Sequence, residues 1–165
     1  MKRILLVLVA VLFLGAAAYA QPKAIGIRGG LFGLAMNGEI SYEHWYTMFN
    51  NDYDFVEAEL GVIGNNGFKA TALYNFTLAQ PEWTDAGEWG LYAGPGLTAG
   101  YGSAKSIDGE VKPGPFLGVA FQLGLEYTFP FPLQLSVDFR PNILIPTRMI
   151  GSSWYGFALA ARYAF

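Results

Sequence analysis

The sequence contains no cysteine and only one histidine, His44. Without cysteine the chain can form no disulfide framework, no lipoprotein-type attachment and no thiolate metal site. One imidazole and scattered carboxylates lack the spacing of a metal site, so we expect no metal and no other cofactor. Charged residues make up 14% of the chain and the formal net charge is -3. Because this charge provides no basic field, a nucleic-acid partner is not expected.

Long hydrophobic runs are also scarce. The strongest run, Ile4 to Leu14, follows Lys2 and Arg3 and leads into small residues that end at Ala20. This order is typical of a secretory signal peptide, and the run is shorter than the ~20 residues that a transmembrane helix needs. We expect residues 1–20 to be a cleaved signal peptide and residues 21–165 to be one exported domain. An uncleaved membrane anchor is the alternative interpretation of the first residues.

Apolar, aromatic and glycine residues are abundant. Hydrophobic residues account for 53% of the chain and aromatic residues for 16%, and there are 21 glycines. Since no apolar run after Ala20 is long enough for a transmembrane helix, the apolar residues must be spread along strands. The glycines suit tight turns between such strands.

Apolar and polar residues alternate along most of the chain, which predicts strands with one apolar face. The cleanest case runs from Phe68 to Leu78, where Leu73 is the only apolar residue on the polar face. Two hairpin turns are indicated at Asn37-Gly38 and at 65–67. Pro95, inside another strand, predicts a bulge or local break.

The count of about eight strands and seven turns predicts an all-β fold, an eight-stranded antiparallel up-and-down transmembrane β-barrel. Its apolar faces would contact lipid, and aromatic residues near the turns would form two girdles at the membrane interfaces. One girdle would comprise Phe49, Tyr53, Phe55, Phe76, Trp89, Phe129, Phe131 and Phe165, and the other Phe32, Phe68, Tyr101, Phe116, Trp154 and Tyr155. A loop from Ser103 to Pro115 and a second from Thr147 to Ser153 would form most of the outward surface.

The signal peptide, the alternating strands and the closing segment resemble the small bacterial outer-membrane β-barrel family, typified by the OmpA transmembrane domain and OmpX. The resemblance covers Ala24 to Phe165. In that family an aromatic end with alternating hydrophobic residues upstream is the signal read by the barrel-assembly machinery. The matching positions are Leu159, Ala161, Tyr163 and Phe165. The resemblance implies a bacterial outer-membrane location, with membrane lipid and the assembly machinery as partners, but it implies no particular function.

Alternate positions of each strand face the barrel interior, which is called inward parity, and ten ionisable residues occupy such positions. They are Arg28, Glu39, Glu43, Glu57, Glu59, Lys69, Glu126, Asp138, Arg140 and Arg162. An eight-stranded barrel is only just wide enough for side chains, so these charges must pair with one another or with trapped water. We expect a lumen charge network that plugs the barrel and fixes strand register. The alternative is a narrow, gated ion path through the network, with Glu57, Glu59, Lys69 and Arg162 as the residues to test.

The function that the sequence favours is a small outer-membrane barrel with a structural or surface-interaction role, a mostly plugged interior and an unknown surface ligand. Besides a narrow pore, a soluble lipocalin-like ligand-binding barrel and a membrane-embedded lipid-modifying enzyme are alternatives. Enzymatic activity is not expected, because Ser41 and Glu43 share one face while His44 points to the other. Acid–base catalysis by Glu57 and Glu59 would need an accessible substrate.

Overall fold

The computed structural model describes residues 23–32, 35–45, 54–64, 67–102, 105–106, 109–110, 113–145 and 156–165. Its strands are β1 (Lys23–Phe32), β2 (Ala35–Trp45), β3 (Phe55–Ile63), β4 (Gly67–Ala79), β5 (Glu88–Gly102), β6 (Lys105–Ser106), β7 (Gly109–Glu110), β8 (Gly114–Thr128), β9 (Gln134–Phe139), β10 (Asn142–Ile145) and β11 (Phe157–Ala164). In these ranges no helix is long and apolar enough to cross a membrane.

The sheet closes on itself. The order around the ring is β1, β2, β3, β4, β5, β8, then β9 with β10, then β11, which pairs with β1 again. β9 and β10 pair with β8 in one unbroken register, although Arg140 and Pro141 interrupt the strand between them. The wall therefore has eight antiparallel positions, which confirms the predicted all-β, eight-stranded antiparallel barrel.

The two ends of the barrel are distinct. At one end β1 begins beside the end of β11, where the Lys23 amide donates to the Phe165 carbonyl at 2.9 Å and the Phe165 amide donates back at 2.8 Å. This end, with the connections 46–54, 80–87 and 129–133, is called the terminus end. The opposite end, with the connections 33–34, 64–66, 103–113 and 146–156, is called the hairpin end.

The turn predicted at Asn37-Gly38 is wrong. Phe32 pairs with Ala35, so the chain reverses before Asn37, and both residues lie within β2. Asn37 has inward parity and is buried, where its side-chain amide donates to Glu39 at 2.9 Å. The second predicted hairpin does lie between β3 and β4, and Gly64 supplies the positive φ of 53° there.

Pro95 interrupts one ladder without shifting its register. Pairing between β4 and β5 steps directly from Leu73 with Gly96 to Phe76 with Ala93, while the ladder to β8 runs through Pro95. The register shift between β4 and β5 lies instead between Thr77 and Ala79. In the predicted loop 103–115, Lys105–Ser106 pairs with Gly109–Glu110, and β8 already begins at Gly114.

Burial alternates along the wall as the sequence pattern predicts. In β8, Phe116, Gly118, Ala120 and Gln122 are buried, while the apolar residues between them from Leu117 to Leu123 are exposed. The same alternation holds along β4, where Leu73 is the buried apolar residue. Polar side chains therefore fill most of the interior, and apolar side chains cover the outside.

Three aromatic residues that were assigned to girdles point into the barrel instead. Phe32, Phe55 and Phe116 are at most 5% exposed. Each lies near a strand end but has inward parity, so its ring fills the mouth of the barrel rather than covering its rim. Phe68, Phe76, Tyr101, Phe131 and Phe165 are exposed as predicted. Phe49, Tyr53, Trp154 and Tyr155 lie outside the described residues.

Candidate functional site

The barrel interior holds all ten ionisable residues that parity placed there, and none of the ten is more than 9% exposed. They belong to β1, β2, β3, β4, β8, β9 and β11, with Arg140 in the break between β9 and β10. Because ionised groups are costly to bury without partners, the pairing among them determines what the interior can do. The contacts divide them into two groups.

The hairpin-side group consists of Arg28, Glu39, Glu59, Lys69, Asp138 and Arg140. Arg28 binds the Asp138 carboxylate with two nitrogens, at 3.0 and 2.5 Å, and also contacts Glu39. Lys69 Nζ lies 2.7 Å from the second oxygen of Glu39. Arg140 binds Glu59 through two nitrogens. Three cations therefore meet three carboxylates, and the group is balanced in charge.

The terminus-side group consists of Glu43, Glu57, Glu126 and Arg162. Arg162 Nη2 lies 2.5 Å from Glu57 Oε1, and its Nη1 lies 3.1 Å from Glu43 Oε1. Arg140 joins the two groups through a longer contact of 3.5 Å with Glu57. Glu126 accepts a hydrogen bond from the Gln134 amide at 3.0 Å. The group therefore holds three carboxylates and one arginine, which contacts Glu43 and Glu57.

Uncharged side chains complete the contacts of Arg162. Its Nε donates to Ser41 Oγ and its Nη1 to Ser136 Oγ, both at 2.8 Å. Ser41 in turn donates to Glu57 at 2.8 Å. The predicted site named only charged residues and omitted Ser41, Gln134 and Ser136. Their inward parity was the signal that could have identified them.

Apolar side chains cover the charges at the hairpin end, and two buried aromatic rings lie towards the other end. At the hairpin end Phe32, Ile63, Phe116 and Leu144 form a buried cluster, in which the Phe32 and Phe116 rings stack at 5.6 Å. Lys69 Nζ lies 4.9 Å from the Phe32 ring centre, directly beneath this cluster. Towards the terminus end the fully buried rings of Phe55 and Tyr92 meet edge to face at 5.1 Å.

Glycines provide the space for these large groups. Gly100 pairs across the wall with Phe116, and Gly124 pairs with Tyr92. A Cβ on Gly124 would lie 2.3 Å from Tyr92 Cζ, and one on Gly100 would lie 2.7 Å from Phe116 Cζ. Glycines on the inward face therefore leave room for these bulky neighbours.

Two further sets of residues were singled out in the sequence. Ser41 and Glu43 are buried in the interior, whereas His44 lies on the outer face, where Nδ1 is 3.4 Å from the Tyr42 hydroxyl. The three side chains are therefore not brought together as a catalytic site. Leu159, Ala161, Tyr163 and Phe165 lie along the outer face of β11 and just beyond it, with the last two rings 5.9 Å apart.

Comparison with known proteins assigns no family to the chain. No family model matches this sequence, and a search of curated proteins also found no match.

Proposed function

We propose that the protein is a small bacterial outer-membrane β-barrel with a structural or surface-interaction role and a mostly plugged interior. The observation that carries this proposal is the inverted distribution of residues. Ten ionisable side chains are buried inside, while large apolar side chains such as Ile27, Leu60 and Leu159 are 66 to 69% exposed on the outside. A barrel that folds in water needs the opposite arrangement, whereas a lipid-facing wall needs this one.

The apolar surface extends around the barrel rather than forming a single patch. Every wall position contributes exposed large apolar residues, including Ile25, Ile40, Val62, Phe68, Leu97, Val119, Leu123, Val137, Ile143 and Phe157. A soluble monomer typically exposes single apolar patches, the largest about 300–600 Å², rather than a band around the whole molecule.

The long strands β4, β5 and β8, of 13 to 15 residues, exceed the roughly 9–11 that a tilted transmembrane strand needs.

The interior disfavours two alternatives. A lipocalin-like barrel would need an apolar cavity for its ligand, whereas this interior is filled with ion pairs such as those of Arg28 and Arg162. A conducting pore would need a continuous polar path, whereas Phe32 and Phe116 cover the charges at the hairpin end. Both observations support a plug.

The proposal includes export and assembly. Residues 1–20 would direct secretion, and the outer face of β11 would present Leu159, Ala161, Tyr163 and Phe165 to the assembly machinery. β11 pairs with β1 at the seam where the barrel closes. Outer-membrane lipid would then contact the finished wall.

The test is expression of the full chain in a Gram-negative host, followed by membrane fractionation and gel electrophoresis with and without boiling. We expect the protein in the outer-membrane fraction, detergent-dependent solubility, and different mobility of the folded and boiled forms. A folded chain that stays in the aqueous phase without detergent and shows no heat-dependent mobility would contradict the proposal. A changed lipid A or phospholipid profile on expression would instead favour the lipid-modifying enzyme.

A further inference from the structure

The terminus-side group has an unbalanced charge. Glu57 makes the shortest contact with Arg162 and a second contact with Arg140, whereas Glu43 shares Arg162 Nη1 with Ser136. Glu126 accepts a hydrogen bond from an uncharged amide, that of Gln134. The hairpin-side cations are matched by their own carboxylates. If every carboxylate were ionised, the terminus-side group would carry two excess negative charges in a buried position, at a high cost.

The terminus-side group also contains buried hydrogen-bond acceptors that have no donor. Gln134 Nε2 donates to Glu126, and Gln134 also interacts with Glu43. Within the described residues, the Oε2 of Glu43 and the Oε1 of Gln134 are buried without a hydrogen-bond partner, while the Oε1 of Glu43 contacts Arg162. These atoms are all acceptors, so no hydrogen bond can form between them until one of them gains a proton.

The orientation of the amide does not supply the missing donor. The Gln134 NH2 group has two N–H donors and can serve both carboxylates, but Oε1 needs a donor of its own, and turning the amide over only points Oε1 at a carboxyl group. A carboxylic acid at Glu43 or Glu126 can supply that donor, whereas two carboxylates cannot. We propose that Glu43, Gln134 and Glu126 form a buried proton-binding site, in which the two glutamates share one proton at neutral pH and Gln134 bridges them.

The groups around the site agree with this assignment. Glu43 faces Arg162 from β11, Glu57 from β3 and Glu126 from β8, and Tyr92 from β5 faces the same carboxylates. A proton reduces the repulsion among the three glutamates and leaves Arg162 bound to Glu57. The competing occupant is a monovalent cation. In the described part of the chain no three or more His, Cys, Asp or Glu side chains are grouped to hold a metal ion.

The inference depends on the barrel interior and not on the membrane location, so it can fail or succeed independently of the proposed function. The first measurement is the infrared spectrum of the folded protein in detergent at neutral pH. We expect the carbonyl band of a protonated carboxylic acid in the wild-type protein and loss of that band in Glu43→Gln and in Glu126→Gln. Glu39→Gln is the matched control, since it removes a carboxylate from the balanced group and should leave the band in place.

The second measurement is the pH dependence of unfolding by urea. Near neutral pH glutamates of the unfolded chain are ionised, so a folded state that holds an extra proton loses stability as the pH rises. One such proton makes the folding equilibrium constant fall by about tenfold per pH unit. We expect Glu43→Gln and Glu126→Gln each to remove this component, while Glu39→Gln retains it.

Three results would overturn the inference. The first is a wild-type spectrum without the carboxylic-acid band, which needs no variant and so decides the matter even if a variant does not fold. The second is an unchanged pH dependence in folded Glu43→Gln or Glu126→Gln. The third is stabilisation by sodium or potassium chloride over choline chloride at equal ionic strength, abolished by Glu43→Gln, which would identify a bound cation instead.

Discussion

Arg162 in β11 contacts Glu57 in β3 across the barrel interior, with 2.5 Å between Nη2 and Oε1. Their strands are not neighbours, because β1 and β2 lie between them in the wall. The two residues are also 105 positions apart in the chain. The contact therefore forms only when four strands have the correct register, because a shift of one residue would turn either side chain to the outer face. Buried ion pairs of this kind specify one register of the closed sheet.

Arg162→Met should destabilise the barrel strongly. The substitution leaves Glu43 and Glu57 buried without their arginine, and removal of one partner from a buried ion pair costs about 3–5 kcal/mol. Urea unfolding in detergent micelles provides the measurement. Adding Glu57→Gln should recover part of the loss, because the coupled residues are not additive. Equal stability of Arg162→Met and the wild type would show that the pairing contributes nothing.

Gly124→Ala should destabilise the barrel through overpacking. The new Cβ would lie 2.3 Å from Tyr92 Cζ, so the fully buried ring must move. Overpacking of this kind costs about 1–3 kcal/mol. Gly38→Ala is the matched control, since a Cβ there has no atom within 4 Å. Both variants are compared by urea unfolding, and similar stability of the two would argue against close packing around Tyr92.

Leu60→Arg should impair insertion into lipid. Leu60 lies in the middle of β3 and is exposed on the outer face, where an arginine at the bilayer midplane costs about 2–4 kcal/mol. Folding into lipid vesicles is measured by the heat-dependent shift in gel mobility. Glu82→Arg, at an exposed position in the 80–87 connection, is the control and should insert normally. Normal insertion of Leu60→Arg would contradict a lipid-facing wall.

Planar-bilayer recording of the wild-type protein should show no stepwise conductance. The ion pairs of Glu57 and Lys69 are buried, and the Phe32–Phe116 stack covers them at the hairpin end. Ions would have to displace both layers to pass. Stepwise currents that Glu57→Gln or Lys69→Met abolishes would contradict the plug and establish an ion path instead.

Local patterns identified most of the wall but not every element boundary. Residue parity along β4 and β8 correctly separated inward from outward side chains, because alternation is a property of each strand by itself. Phe32 and Phe55 lie close to predicted turns and were expected in the aromatic girdles, but the same alternation puts them on the inward face, where both are buried. The Asn-Gly pair at Asn37 is typical of a hairpin turn, but in the structure Asn37 lies within β2 and its buried side chain donates to Glu39.

Composition and alternation alone predict an all-β chain, the approximate number of strands and the set of charges that must be buried together. How those charges divide is visible only in the folded barrel, where Lys69 lies beside Glu39 in a balanced group and Arg162 is the one cation of the group with three carboxylates. The physical reason is that alternation has a period of two and sets only the face of each residue. Which side chains meet across the interior depends on the register of every strand around the closed ring.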